Sequence, residues 1–312
     1  MEFKHMPGML QECIDGLDIK PNGIYFDGTL GGAGHSSEIL KRLTAEGLLV
    51  ATDKDDDALK VSTERLSKIG SNFKVVKSDF KNFDNILDGL GIDKIDGVLL
   101  DLGVSSYQLD NASRGFSYMV DAPLDMRMDT QNPLDAKQVV NEYSPEKLTK
   151  IFYDFGEEPF TKKIVQNIIE ARKIAPITTT KQLSDIIKMS VPKKVQATHG
   201  NPCKRVFQAI RIEVNGELSG LEDVLNKMIQ RLKVGGRMVV LTFHSLEDRI
   251  VKDVFKLNAT NCICPKNIPI CVCGHKACVE LINKKPIVAS KAELESNSRS
   301  ACAKLRIAKK IV

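Results

Sequence analysis

The sequence predicts an α/β protein: an open, mostly parallel sheet with helices on both faces, interrupted by an inserted helical domain. Three observations carry this. Apolar, strand-like runs and helical stretches alternate four times between residues 24 and 101, the pattern of a parallel sheet whose crossovers are helices. The alternation lapses from about residue 113 to residue 199, where only helical periodicity is found. It resumes with apolar runs at 237–243 and 304–308. The chain is therefore divided into a sheet domain in two parts, 1–112 and 201–312, and a helical substrate-binding insert, 113–200.

The elements follow in order. Met9, Leu10, Cys13, Ile14 and Leu17 stand at helical spacing in an amphipathic segment within residues 1–20. After the turn Pro21-Asn22-Gly23, residues 24–27 form a first strand, and a glycine-rich turn leads to a helix over 36–43. Residues 48–53 form a second strand and 54–69 a helix, with Ala58, Leu59, Val61, Leu66 and Ile69 on its apolar side. A third strand runs over 73–76, a short helix over 83–90, and an almost wholly apolar fourth strand over 95–101. Helices are predicted at 136–142, 145–153, 160–173 and 180–190, punctuated by Pro176, Pro192 and Pro202. Residues 207–232 are helical, Val234-Gly235-Gly236 is a turn, and a helix over 246–257 follows the strand at 237–243.

Composition sets bounds on function. The 312 residues are 42% hydrophobic and 27% charged, with a net charge of +5, as in an ordinary soluble protein with a core to bury. That charge permits a nucleic-acid partner without requiring one. No apolar run approaches the ~18 residues of a membrane span, and the start MEFKHMPGMLQE lacks a signal-peptide core. A cytoplasmic location is expected, where the eight cysteines serve as thiols or metal ligands before disulfides. Oligomeric state, monomer or dimer, is left open by the sequence.

The chemistry concentrates at strand ends. In IYFDGTLGGAGHS (24–36) a strand runs into Gly28, Gly31, Gly32 and Gly34; glycine serves where backbone takes positive φ or a ligand approaches closely. The spacing is not G-x-G-x-x-G, so the loop alone fits any nucleotide cofactor or a plain turn. Asp27, Asp53, Asp79 and Asp101 stand at or just past four successive strand ends, where open α/β sheets bind ligands. A carboxylate such as Asp53 suits a ribose diol, because it accepts two hydroxyl hydrogen bonds; its alternative is to cap the next helix.

Five blocks together go further: FDGTLGGAGHS (26–36), DLGVSSYQLD (101–110), RGFSY with PLDMRMD (114–118 and 123–129), KRVFQAIRIEVNGEL (204–218) and TFHSLEDRIVK (242–252). Their wording and order resemble the bacterial 16S ribosomal RNA cytosine-N4 methyltransferases that use S-adenosylmethionine, over nearly the whole chain. The resemblance implies a Rossmann-like class I methyltransferase fold with a mostly parallel seven-stranded sheet. It implies that Ala33, Gly34 and His35 hold the methionine part of the cofactor and Asp53 the ribose, with Phe80, Asp101 and Gln108 also lining the site. Phe80 fits as an apolar wall for adenine or as a core side chain, and Asp79 is an alternative partner for the adenine amine. Ala33 stands where many relatives carry glycine.

The implied substrate is a cytosine in the decoding region of 16S rRNA within the small ribosomal subunit. Methyl transfer to an exocyclic amine needs an acceptor for one N–H, which localises the nitrogen lone pair. Asp101 is the candidate, with Ser105 and Ser106 placed to orient the base and His244 next to a stacking ring, Phe243. Arg114, Arg127, Lys193, Lys194, Lys204, Arg205 and Arg211 are candidate phosphate contacts or local ion-pair partners. A DNA-directed enzyme is disfavoured, because Asp101-Leu102-Gly103-Val104 lacks the Pro-Pro-aromatic of amino-methyltransferases. An RNA-binding factor without catalysis is the alternative of another class, and the four strand-end acids argue against it.

One further motif stands apart. CICPKNIPICVCGHKAC (262–278) places Cys262, Cys264, Cys271 and Cys273 in two C-x-C pairs, with His275 and Cys278 close behind. Cys₄ or Cys₃His ligation of zinc is chemically reasonable, although C-x-C is tighter than the usual C-x₂₋₄-C. The four cysteines are the candidate ligands of a structural zinc, and a loop of reduced thiols is the alternative.

Overall fold

The computed structural model describes residues 7–265 and 270–312; the first six residues of the amphipathic opening segment, and 266–269 in the cysteine segment, lie outside the described residues. Eight strands form one sheet: β1 (Ile24–Asp27), β2 (Leu48–Asp53), β3 (Phe73–Lys77), β4 (Ile95–Asp101), β5 (Leu232–Thr242), β6 (Val279–Leu281), β7 (Ile287–Val288) and β8 (Lys304–Lys310). Their order is β3-β2-β1-β4-β5-β8-β6, with β7 also paired to β8. β3, β2, β1, β4 and β5 run parallel, whereas β8 is antiparallel to β5, β6 and β7.

The strand order explains where a ligand can sit. From β1 the chain moves outward through β2 to β3, then returns to lay β4 on the other side of β1. The crevice outside the carboxyl ends of β1 and β4 is therefore the topological switch point. β4 has to be apolar throughout because both its faces are covered: Ile95, Val98, Leu99 and Leu100 have no exposed surface. Phe26 of β1 meets Phe83 edge to face, with centroids 4.9 Å apart, which seats the helix Phe83–Gly89 against the sheet.

The chain divides into two compact units, one formed by Met1–Gly103 with Ser219–Val312, the other by Val104–Leu218. The second unit is helical and has its own core, including Val139, Phe152, Ile164, Leu183 and Phe207. Its helices begin on local signals. Asp135 with Gln138, and Thr179 with Gln182, form capping boxes, and Ser144 caps a helix with Pro145 at its first position. This unit is wider than residues 113–200. It takes in Ser106–Asp110 at one end and, at the other, the helix Pro202–Asn215, whose Cys203, Val206, Phe207 and Ile210 are buried in that core.

Two local expectations are corrected, and two short strands are added. Val234-Gly235-Gly236 is not a turn between elements but a bulge within β5: Ile95 pairs with Leu232, yet Gly97 pairs with Arg237, and Gly235 takes φ +84°. β6 and β7 have three and two residues, too short for a period-2 pattern to register. The helix after β1 starts at Gly34, two residues before the predicted residue 36.

Candidate active site

The glycine turn is held from beneath by β4 and β2. Gly28 N–H donates to Leu99 O and Leu30 N–H to Thr52 O, each at 3.0 Å. Asp27, 1% exposed, accepts Ser36 Oγ–H at 2.6 Å and Thr29 N–H at 3.0 Å. It therefore bridges the start of the turn to the helix that ends it. Ala33 closes the turn in the left-handed region at φ +59°, a conformation costing a residue with a Cβ about 1–2 kcal/mol.

Each glycine has a different surrounding. A Cβ on Gly28 would strike Leu100 Cδ2 and lie 2.8 Å from Phe80 Cβ; one on Gly34 would lie 2.7 Å from Pro7. These two glycines are required by packing. A Cβ on Gly32 would meet nothing within 4 Å, so the turn presents bare backbone to open space. That is a cradle a ligand can enter.

Three carboxyl groups border the switch point. Asp53 accepts Gly31 N–H at 2.8 Å on one oxygen and Asp55 N–H at 2.9 Å on the other, leaving lone pairs for hydroxyl donors. Asp101 anchors by its backbone: its N–H donates to Thr29 Oγ1 at 2.6 Å, while its side chain, 23% exposed, has Oδ2 3.6 Å from His35 Nδ1. His35, buried, uses its other nitrogen to donate to Gly8 O at 3.2 Å.

Burial works against ionisation at these groups. It pushes Asp27 up to about 6, against the hydrogen bonds from Ser36 and Thr29 that favour the charged form. Asp101 is pushed up to about 8 by burial first, then by the charges of Asp27 and Glu247, and Asp53 is also raised by burial. The donors to Asp27 and Asp53 are backbone N–H groups and hydroxyls, and Asp101 faces His35 Nδ1. The other end of the sheet differs: Asp96, 7% exposed, takes Ile24 N–H at 2.9 Å and is countered by Lys233 Nζ at 2.7 Å and Lys20 Nζ at 3.9 Å.

The remaining predicted residues fall in separate settings. Phe80 is half-buried next to Gly28. Asp79 caps the turn after β3 by accepting Lys81 N–H at 3.0 Å and pairs with Lys54 at 3.2 Å, so its carboxylate is already engaged. His244 caps the helix Ser245–Asn258, its Nδ1 accepting Glu247 N–H at 3.4 Å while Glu247 accepts the backbone of Phe243 and His244. Ser105, Ser106 and Gln108 belong to the helical unit. There Ser105 and Gln108 form a capping box at 3.1 and 3.2 Å, with Ser106 at the first helical position.

Thr29 and Ser36 are site residues that sequence reasoning missed. A hydroxyl two residues past an acid at a strand end was the available signal, since it forms a turn on that acid.

Of the two readings of the arginines, the structure shows the local partners. Arg114, 7% exposed, donates to the carbonyls of Arg127 and Met128, both at 2.9 Å. Arg127 is bidentate on Asp125, Arg205 binds the fully buried Glu158 at 2.7 Å, and Arg211 is bidentate on Glu217. Their forks match carboxylates and carbonyls within the helical unit, where unpaired burial is costly. Lys193, Lys194 and Lys204 are exposed.

The cysteine segment brings four of its soft side chains together. Sγ of Cys262 lies 3.4 Å from that of Cys271 and 3.9 Å from that of Cys273; Cys271 is 3.5 Å from Cys273 and 4.0 Å from Cys264. His275 instead bonds Leu257 O at 2.9 Å, and Cys278 bonds Asn258 Oδ1 at 3.3 Å.

A parallel sheet that switches direction between β1 and β4, an antiparallel β8 at its far side and acids ranged past the strand ends define a Rossmann-like α/β protein of the methyltransferase class. The comparisons agree. A family model described as the MraW methylase family matches residues 2–311, and the chain belongs to that family. It is 54% identical over 311 residues to the Ribosomal RNA small subunit methyltransferase H of Lachnospira eligens, covering 100% of this chain and 99% of the relative. It is 51% identical to the protein of the same name from Clostridioides difficile, covering 100% of both. The Finegoldia magna protein so named is also 51% identical over the full length of both chains.

Proposed function

We propose that this protein methylates N4 of a cytosine in the decoding region of 16S rRNA, using S-adenosylmethionine and acting on the small ribosomal subunit. The relatives' names support an rRNA substrate. The observation that carries the chemistry is Asp101: a carboxyl group at the switch point, pinned through its own backbone to the glycine turn and pushed up to about 8.

The residues fit the proposed cofactor. Bare backbone at Gly32 offers space, Asp53 retains acceptor capacity for a ribose diol, and Phe80 offers an apolar face for adenine. When bound, S-adenosylmethionine supplies a methyl group on a sulfonium. Ala33, Gly34 and His35 are assigned to its methionine end, and Gln108 is a further candidate cofactor contact.

Asp101 accepts an N–H of the cytosine amine, localising the nitrogen lone pair and then taking its proton. A raised carboxyl pKa suits proton transfer near neutral pH, and a cation brought next to it favours the carboxylate form. Ser105 and Ser106 orient the base through hydroxyl hydrogen bonds, Phe243 offers a ring to stack on, and His244 holds the helix after β5 in position. The base has to be single-stranded or flipped to be reached.

The test is transfer of labelled methyl from S-adenosylmethionine to small subunits lacking the modification, followed by nucleoside digestion. Label in N4-methylcytidine is the expected result; label confined to other nucleosides or to protein overturns the assignment.

A further inference from the structure

We propose that Cys262, Cys264, Cys271 and Cys273 bind one zinc ion as a tetrahedral tetrathiolate that holds the two arms 262–264 and 271–273 together, a role separate from methyl transfer.

The geometry carries the proposal. Four sulfurs about 2.3 Å from a common ion at tetrahedral angles stand about 3.8 Å from one another. The measured separations of 3.4, 3.5, 3.9 and 4.0 Å bracket that value, and all four sulfurs lie within 4.8 Å of one another. All are free thiols, far beyond the ~2.05 Å of a disulfide. Packing alone does not bring four thiols to one point, since a thiol is a weak donor and a weaker acceptor.

The tight C-x-C spacing finds its explanation in the backbone. Ile263 N–H points at Cys273 Sγ at 3.5 Å, and Val272 N–H at Cys264 Sγ at 3.4 Å. The residue between each pair of cysteines thus donates to a sulfur of the opposite pair. Such N–H···S bonds stabilise thiolates and are the outer-sphere contacts a metal site uses to orient its ligands. The two arms are related by this exchange, each supplying two sulfurs and one donor.

The segment also needs such a staple. Among the described residues from 261 to 278 none is buried, and Ile263, Ile270 and Val272 are 52%, 75% and 76% exposed. With no core to offset ordering entropy, a short segment folds around a metal or not at all. His275 and Cys278 are excluded as ligands by their bonds to Leu257 and Asn258, which fasten the segment to the preceding helix. An all-sulfur tetrahedral donor set selects zinc over hard oxygen-seeking cations.

The experiment uses the full-length protein purified without chelator, with metal content measured by plasma mass spectrometry. One zinc per chain is expected, and titration with an organomercurial should release it as four thiols react. Cys262→Ser and Cys271→Ser are expected to lower zinc content at least about tenfold, whereas Cys278→Ser and Cys302→Ser retain it. Cobalt exchanged into the site should show sulfur-to-metal charge transfer and the intense visible bands of a tetrahedral site. Protein without zinc, iron in its place, or zinc lost equally from Cys278→Ser overturns the proposal. All these readouts are independent of methyl transfer, so they stand or fall separately from the proposed activity.

Discussion

Thr29 Oγ1 accepts the backbone N–H of Asp101 at 2.6 Å, so the turn after β1 sets the height of the carboxyl group at the end of β4. The same threonine bonds Asp27 through its own N–H at 3.0 Å. One residue thus connects two of the strand-end acids across the switch point. Thr29→Val keeps the shape and removes the acceptor, leaving a backbone donor unpaired, at a cost of about 1–3 kcal/mol. The expected result is a lower Tm together with weaker S-adenosylmethionine binding by calorimetry, both restored in Thr29→Ser. Undiminished binding in a stable Thr29→Val protein refutes this positioning role.

The raised carboxyl groups make stability depend on pH with a definite sign. Asp27 and Asp101 move from 3.8 to about 6 and about 8 on folding, so the folded chain holds protons that the unfolded chain has lost. Their contribution to stability is full below about pH 4 and declines as pH rises, through about 6 for Asp27 and about 8 for Asp101. The affinity for a cationic cofactor runs the opposite way, rising toward pH 8 as Asp101 ionises. Asp101→Asn is expected to flatten the upper part of both profiles and to reduce methyl transfer by two orders of magnitude or more, roughly the scale of a lost acid–base group. Denaturant titrations and binding isotherms from pH 5 to about 9 read both signs.

Two glycines of one turn are expected to respond differently. Gly32→Ala adds a methyl group to open space, so Tm should shift by less than about 0.5 kcal/mol in stability terms while cofactor affinity falls. Gly28→Ala drives a methyl group into Leu100 and Phe80, and overpacking of this kind costs about 1–3 kcal/mol. Thermal denaturation with and without S-adenosylmethionine separates the two. Equal ligand-induced stabilisation of Gly32→Ala and the parent would show that nothing binds over that backbone.

His244 tests positioning against catalysis. Its Nδ1 caps the helix Ser245–Asn258 within a capping box shared with Glu247. Asn is a good N-cap, and Ala is a poor one that costs about 1 kcal/mol. His244→Asn is therefore expected to retain Tm and most of kcat, and His244→Ala to lose both in part. A stable His244→Asn protein with kcat reduced as far as Asp101→Asn would assign the imidazole to the chemistry.

The sheet was legible because each parallel strand advertises itself: the run Val98-Leu99-Leu100 is apolar since both faces are covered, and an acid follows it. The helical unit was legible from helical periodicity punctuated by Pro176, Pro192 and Pro202; its caps, such as Thr179 with Gln182, were not singled out. Its limits were not legible, because Pro202–Asn215 joins that core through contacts with helices far away in sequence. The partners of the arginines were not legible for a related reason. Arg205 and Glu158 are separated by 47 residues, and a basic side chain in a sequence does not disclose the buried carboxylate it will meet. Asp27, Asp53 and Asp101 were placed correctly at strand ends by periodicity alone, but the hydroxyls of Thr29 and Ser36 that organise them were not singled out.

The two ends of the sheet treat a carboxylate differently: Asp96 has two lysines, whereas Asp27 has a hydroxyl and a backbone donor and Asp101 has His35 Nδ1 at 3.6 Å. Under the proposed function this asymmetry gives the enzyme a way to tell fresh donor from spent product. Methyl transfer removes the positive charge from sulfur, so the two differ by one unit of charge as well as one carbon. An ionised Asp101 binds the charged form more tightly and loses that attraction once the methyl has left. Turnover is thereby favoured by the carboxylate whose ionisation burial delays, and product inhibition should grow weaker relative to donor binding as pH rises through about 8.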